Sequence, residues 1–297
     1  MKKFNLQGTF TALVTPFKKD STVDFDNISK LIDLQIEGGV EGIVVCGSTG
    51  ESATLTYKDK QAIIIHAVEY SNCRIPIIAG TGTNETENSK ALTLIAKEHG
   101  ADAALLVTPY YNKPPQDGLF EHFRLIAESV DLPLILYNVP SRTGVNMTAE
   151  TQLRLAESCP NIIGTKEASG NMDQIMQIIK HSLEGFSVLS GDDSIALPLI
   201  SVGAKGIISV ISNYEPKLFS ECIRLALKGK FKEAQKIHYT LFELMQLNFI
   251  EPNPIPVKYA MSLMGLIKEF YRLPLYPLKP DSKKKIKQAL KDAGLVQ

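Results

Sequence analysis

Asn161-Ile162-Ile163-Gly164-Thr165-Lys166-Glu167-Ala168-Ser169 is a short, largely apolar run that reads as a buried β-strand with a lysine near its end. Similar runs recur along the chain. Strands are predicted over residues 10–17, 42–47, 75–80, 103–109, 133–139, 162–166, 186–191 and 206–210, which makes eight. All are short and rich in Ile, Val, Leu and Ala, without clean polar alternation, as expected of strands covered on both faces. Helical patterns fill the gaps. Asp24 is placed to cap a helix whose apolar face is Phe25, Ile28, Leu31 and Ile32, stopped at Gly38-Gly39. Thr56-Tyr57-Lys58-Asp59 resembles a capping box ahead of Ile63, Ile64 and Val68. Further helix signals cover residues 85–99, 115–130, 148–158, 171–181, 194–203 and 215–228. Eight βα units of this length predict an α/β fold, a closed (β/α)8 TIM barrel, with a doubly wound sheet as the alternative from pattern alone.

Past residue 228 the strand signal ends. Helices are predicted over residues 231–249, 256–267 and 282–293, separated by joints rich in proline, Pro252, Pro254 and Pro256, then Pro274, Pro277 and Pro280. The expected organisation is a catalytic barrel over residues 1–228 and a C-terminal helical extension over 229–297, packed on the barrel and available for contacts between subunits.

Bulk properties exclude several classes of function. The chain of 297 residues is 44% hydrophobic and 22% charged, with 32 basic and 32 acidic residues, so no global field favours nucleic acid or an anionic membrane. The one basic cluster, Lys283, Lys284, Lys285 and Lys287, reads as the solvated face of a helix whose other face holds Ile286 and Leu290. No apolar run reaches the ~18 residues of a membrane span. Met1-Lys2-Lys3-Phe4 begins like a signal segment, but no apolar core or cleavage site follows. Cys46, Cys73, Cys159 and Cys222 are widely spaced and read as reduced, buried thiols of a cytoplasmic protein.

In a barrel, chemistry gathers where strands end and the following loops begin. A lysine at a buried strand end loses hydration of its ammonium, which favours the free amine that attacks a ketone. Beside Lys166 in this respect stand four other strand-end stretches. Gly47-Ser48-Thr49-Gly50-Glu51 offers small residues and two hydroxyls to an anion such as a carboxylate. Thr108-Pro109-Tyr110-Tyr111-Asn112 brings paired tyrosines, suited to relaying protons or to packing at the rim. Tyr137-Asn138-Val139-Pro140-Ser141-Arg142-Thr143-Gly144 places a tyrosine on the strand and, on the loop, a guanidinium able to grip a carboxylate at two points. Ser190-Gly191-Asp192-Asp193 ends the seventh strand. His66, His99, His122, His181 and His238 all fall in helical stretches or their ends, so no metal centre is expected at the strand ends. No nucleophile elbow or Walker loop is present. Amine catalysis with tyrosine and hydroxyl proton carriers, and no cofactor, is the chemistry that remains.

The motifs Gly47–Glu51, Tyr137–Gly144 and Gly164-Thr165-Lys166-Glu167, in this order and spacing, resemble the dihydrodipicolinate synthase/N-acetylneuraminate lyase family of class I aldolases. The resemblance extends from Gly8-Thr9-Phe10 through the C-terminal helices. It implies a (β/α)8 barrel assembled as a homotetramer of two tight dimers, and an imine between Lys166 and pyruvate. It further implies that Ser48 and Thr49 hold the pyruvate carboxylate and that Tyr137 handles protons. Tyr111 corresponds to the tyrosine that reaches across the tight dimer, and Gly191 and Ile208 to positions whose backbone lies beside the site. Ser48 stands where synthases more often carry threonine, and serine there is common among lyases. Arg142 points to the synthase branch, which uses it to hold the carboxylate of L-aspartate 4-semialdehyde. The activity implied is Schiff-base condensation of pyruvate with that semialdehyde, a lyase reaction of lysine and diaminopimelate biosynthesis. Alternatives are N-acetylneuraminate lyase, a keto-deoxy sugar acid aldolase, or a catalytically silent scaffold. In lysine-sensitive relatives the inhibitor sits in a crevice matching Ser52, Ala53, Tyr57, Lys60, Asn84, Asn88 and Tyr110. A neutral amide at Asn88, where relatives carry an acid, together with the added cation of Lys60, implies weak or absent inhibition by lysine.

Overall fold

The computed structural model describes residues 5–297, so the signal-like stretch at residues 1–4 lies outside the described residues. Eight parallel strands close into a barrel in chain order: β1 (Gly8–Ala12), β2 (Gly42–Val45), β3 (Ile77–Gly80), β4 (Ala103–Val107), β5 (Leu134–Asn138), β6 (Ile162–Glu167), β7 (Ser187–Ser190) and β8 (Gly206–Ser209). The ring is sealed where β8 pairs back onto β1, Gly8 opposite Gly206. A Cβ on Gly206 would stand 2.0 Å from the Gly8 carbonyl oxygen, and its φ of +148° is closed to most side chains, so the seam requires glycine there. Closure removes both sheet edges and overturns the doubly wound alternative.

Burial explains why the strands lack polar alternation. One set of side chains, including Phe10, Val44, Ile78, Leu105, Ile135, Tyr137, Leu189 and Ile208, fills the barrel interior. Their outward neighbours, such as Ile43, Val45, Ile77, Leu134 and Leu136, join a larger cluster with the surrounding helices.

Those helices are α1 (Phe25–Gly38), α2 (Tyr57–Ser71), α3 (Thr86–Glu98), α4 (Gln116–Ser129), the single turn α5 (Pro140–Thr143), α6 (Ala149–Ser158), α7 (Met172–His181), α8 (Ala196–Ser201) and α9 (Pro216–Leu227). The capping signals hold. The Asp24 side chain accepts from the Asn27 amide, Gly39 ends α1 in the left-handed region, and Thr56 with Asp59 forms a complete capping box.

Three details depart from expectation. Strand pairing starts at Gly8 and stops at Ala12 rather than running from residue 10 to 17. Residues 13–17 remain buried; the Leu13 amide still donates to the Val44 carbonyl, but from residue 14 on the backbone turns to other partners, the Val14 amide to Asn213 Oδ1 for example. Periodicity cannot separate a buried loop from a buried strand. Cys73 is exposed, unlike the other three thiols, because it sits in the turn between α2 and β3. Lys283 is not a solvated charge: it pairs with Glu269 at 2.9 Å and lies over the Tyr259 ring.

After α9 come α10 (Phe231–Leu247), α11 (Ile255–Leu263) and α12 (Pro280–Asp292). Their apolar faces, including Leu241, Leu244, Val257, Ile286 and Leu290, belong to the same cluster as the barrel helices. The stretch between α10 and α11 crosses the C-terminal mouth of the barrel, and this matters for the site. No helix among the described residues is long and apolar enough to cross a membrane.

Candidate active site

Strand alternation and register set the centre of the site. Tyr137 on β5 lies opposite Lys166 on β6, and both point inward. Lys166 is 5% exposed, and its Nζ stands 4.4 Å from the centre of the Tyr137 ring. A Cβ on Gly191 would come within 3.1 Å of Lys166 Cε and 2.6 Å of Ala168 Cβ, so glycine at the β7 end leaves the space the lysine occupies.

Above this pair opens a cavity of about 650 Å³ whose walls include Ser48, Thr49, Tyr137, Arg142, Lys166, Gly191 and Asn253. A second cavity of about 300 Å³ shares Ser48, Tyr137, Arg142 and Asn253 and runs on to Ser52, Ala53 and Tyr110. Ser48 is half-buried and Thr49 buried, in the turn after β2. Arg142 projects from α5 and donates from Nη2 to the Asn253 carbonyl at 3.0 Å. A ketone carbon can therefore approach Lys166 while hydroxyls, a phenol and a guanidinium surround it.

Not every expected residue is brought to this cleft. Tyr111 is 90% exposed, with φ +74°, and lines neither cavity. Among the described residues no hydrogen bond joins the hydroxyls of Ser48, Tyr137 and Tyr111. Ile208 is buried in the inner layer of the barrel, beneath the cavity floor to which Val210 contributes. Of the expected regulatory residues, Ser52, Ala53 and Tyr110 line the narrower cavity. Tyr57 and Asn88 are exposed, and Asn84 is half-buried with its carbonyl accepting from Asn112. Lys60 is buried, and loss of hydration pushes its ammonium down from the usual lysine range.

Residues 5–293 match the family described as Dihydrodipicolinate synthetase. The chain belongs to that family. It is 50% identical to 4-hydroxy-tetrahydrodipicolinate synthase of Persephonella marina, over 98% of this chain and 99% of the relative. The crystal structure of dihydrodipicolinate synthase from Aquifex aeolicus superposes with a TM-score of 0.96 at 48% identity, covering 98% of this chain and 99% of that one. The chloride-inhibited dihydrodipicolinate synthase from Acinetobacter baumannii, complexed with pyruvate, superposes with a TM-score of 0.96 at 46% identity, over 98% and 100% of the two chains.

Within this dihydrodipicolinate synthetase fold, four features of the site escaped the sequence reading. Asn253, from the joint between α10 and α11, donates from Nδ2 to Thr49 Oγ1 at 2.9 Å and thus ties Thr49 to Arg142. Glu51 and Lys258, both wholly buried, form an ion pair that clamps the β2 loop to α11. Burial pushes Lys258 down to about 8 against the opposing pull of Glu51. Its ammonium also lies 4.4 Å over the Phe17 ring. Asp193 accepts from the amides of Val210 and Ile211, and burial raises its carboxyl to about 6. Glu167, next to the lysine, faces outward into a set of amide side chains. The signal for Glu51 and Glu167 was present, since each is an acid inside an apolar strand-end motif. Asn253 and Lys258 carried none, because their partners lie over two hundred positions away.

Proposed function

We propose that the chain condenses pyruvate with L-aspartate 4-semialdehyde to give 4-hydroxy-tetrahydrodipicolinate, a step of lysine and diaminopimelate biosynthesis. The observation that carries this reading is the buried Lys166 set against Tyr137, in a cavity also walled by Ser48, Thr49 and Arg142. The relatives' names support the activity, the Acinetobacter baumannii relative is complexed with pyruvate, and the geometry is suited to a keto acid.

The Lys166 amine adds to the pyruvate ketone and water leaves, forming an iminium. The positive nitrogen makes the methyl group acidic, and Tyr137, with Ser48 and the Tyr111 phenol reaching in from the neighbouring subunit, carries the departing proton. The resulting enamine carbon attacks the aldehyde, whose oxygen takes a proton and remains as the product hydroxyl. The semialdehyde amine then adds to the iminium carbon, closing the ring and releasing Lys166. Thr49 and Ser48 hold the pyruvate carboxylate, Arg142 holds that of the semialdehyde, and Gly191 offers backbone beside the intermediate.

The barrel over residues 1–228 supplies the chemistry, and the extension over 229–297 closes the site through Asn253. The exposure of Tyr111 supports a tight dimer in which that phenol enters the neighbouring site, and the assembly we assign is a homotetramer of two such dimers. The enzyme is assigned to the cytoplasm.

Borohydride reduction with pyruvate, followed by intact and peptide mass, tests the reading. The expected outcome is one adduct, on Lys166, and none in Lys166→Arg, whose guanidinium stays protonated. An adduct on another lysine, or none, overturns it. Arg142→Ala should keep trapping while losing use of the semialdehyde.

A further inference from the structure

The residue after the nucleophile is a buried carboxylate with no cationic partner among the described residues. Glu167 is 0% exposed, yet no lysine, arginine or histidine pairs with it. Oε1 accepts from Asn138 Nδ2 at 2.7 Å, Gln152 Nε2 at 2.9 Å and Gln174 Nε2 at 3.1 Å. Oε2 accepts from Ser169 Oγ at 2.5 Å and from the Ser169 amide at 3.3 Å. Burying an unpaired charge is unfavourable, and here only neutral donors offset it. One outward position back along the same three strands stand Leu136, Thr165 and Val188, so a carboxylate is not what packing at this layer requires.

The register gives the arrangement its meaning. Asn138 stands opposite Glu167 one step beyond the pair Tyr137 and Lys166. On alternating strands, the outward pair fixes the backbone from which the inward pair projects. Gln152 and Gln174 donate from α6 and α7 and Ser169 from the loop after β6, so the carboxylate ties β5, both helices and that loop to the strand end. The Glu167 carbonyl meanwhile accepts from the Gly191 amide at 2.7 Å, holding the glycine that makes room for Lys166.

We propose that Glu167 is the positioning residue of the nucleophile: its amide network holds the end of β6 so that Lys166 Nζ meets the substrate carbon over Tyr137. The proposal rests on the reading of Lys166 as the nucleophile. A shift of the reacting amine by about 1 Å is worth on the order of a hundredfold in rate.

The test measures the rate of borohydride trapping by pyruvate in the full-length protein, with Tm alongside. Glu167→Gln keeps the shape and an acceptor for the three amides, but sets its NH2 against the Ser169 amide. It should trap about tenfold more slowly, with half-saturating pyruvate unchanged because the carboxylate-binding hydroxyls are untouched. Glu167→Ala, if it folds, should fall by about a hundredfold. A purely structural carboxylate would lower Tm and leave the trapping rate of folded protein unaltered, and an unaltered rate in Glu167→Gln overturns the proposal whatever becomes of the alanine variant. Absence of trapping in the unsubstituted protein would instead refute Lys166 itself, so the two failures are distinguishable.

Discussion

Asn88 stands in the first turn of α3, where the family resemblance places an acid in lysine-sensitive relatives, and the two acids nearest it in sequence are already engaged. Glu85 is committed to capping, its carboxylate accepting from the amides of Glu87 and Asn88, and these bonds hold it below the usual carboxylate range. Glu87 is paired with Lys90 at 3.0 Å. A charged ligand that loses a charge-assisted partner forfeits ~1.5–3 kcal/mol, at least about a tenfold loss of affinity. Titration of activity with L-lysine should therefore give weak or no inhibition, and strong inhibition below about 1 mM would refute this. Lys166, Tyr137 and Arg142 were legible at this scale because each is an unusual residue type at a strand end. Burial alone would not have singled out the lysine, since Lys258 and Lys60 are also buried. Lys258 has Glu51 for company, whereas Lys166 faces open space.

Elements were legible where a local rule governs them. Caps, glycine stops and apolar runs placed all eight strands and the main helices, because each depends on a few adjacent residues. The end of β1 was not legible, since burial continues after pairing stops. Nor was the way α11 grips the β2 loop, which depends on one long-range pair. Glu51 takes φ +57° there, a conformation few side chains adopt without support. Removing one partner of a buried pair strands the other charge, at about 3–5 kcal/mol. Lys258→Met should thus lower stability by that order in denaturant unfolding. Adding Glu51→Gln to it should recover much of the loss, because no bare charge then remains. A double variant whose loss equals the sum of the two single losses would show that the two residues act separately.

Across the whole molecule, two buried groups push the pH dependence of stability in opposite directions. His122, on α4, is pushed down to about 4 by burial, with Glu85 pulling the other way. It contributes stability above the unfolded value near 6.5, and this is lost as pH falls toward 4. Asp193 is raised to about 6, so its contribution is full below the unfolded value near 4 and is lost as pH rises toward 6. Asp59, held at about 2 by Arg272, acts lower, losing its contribution as pH falls from about 4 toward 2. Between pH 4 and 6.5 the first two effects offset one another. Asp193→Asn should therefore lose Tm on acidification through this window more steeply than the unsubstituted protein. His122→Gln should gain Tm over the same window. Parallel curves for all three proteins in a thermal series would refute the assignment.

Cys73 sits in the turn that enters β3, at the opposite end of the barrel from the cavity, and is the one exposed thiol of the four. The other three lie inside, where burial pushes Cys46 and Cys222 up to about 12 and keeps them in the inert protonated form. A maleimide dye or a thiol-reactive bead would consequently attach at a single, known address. Tethered there, a subunit is held from the end opposite its mouth, so each chain comes with a built-in mooring for immobilisation and for one fluorescent label per subunit.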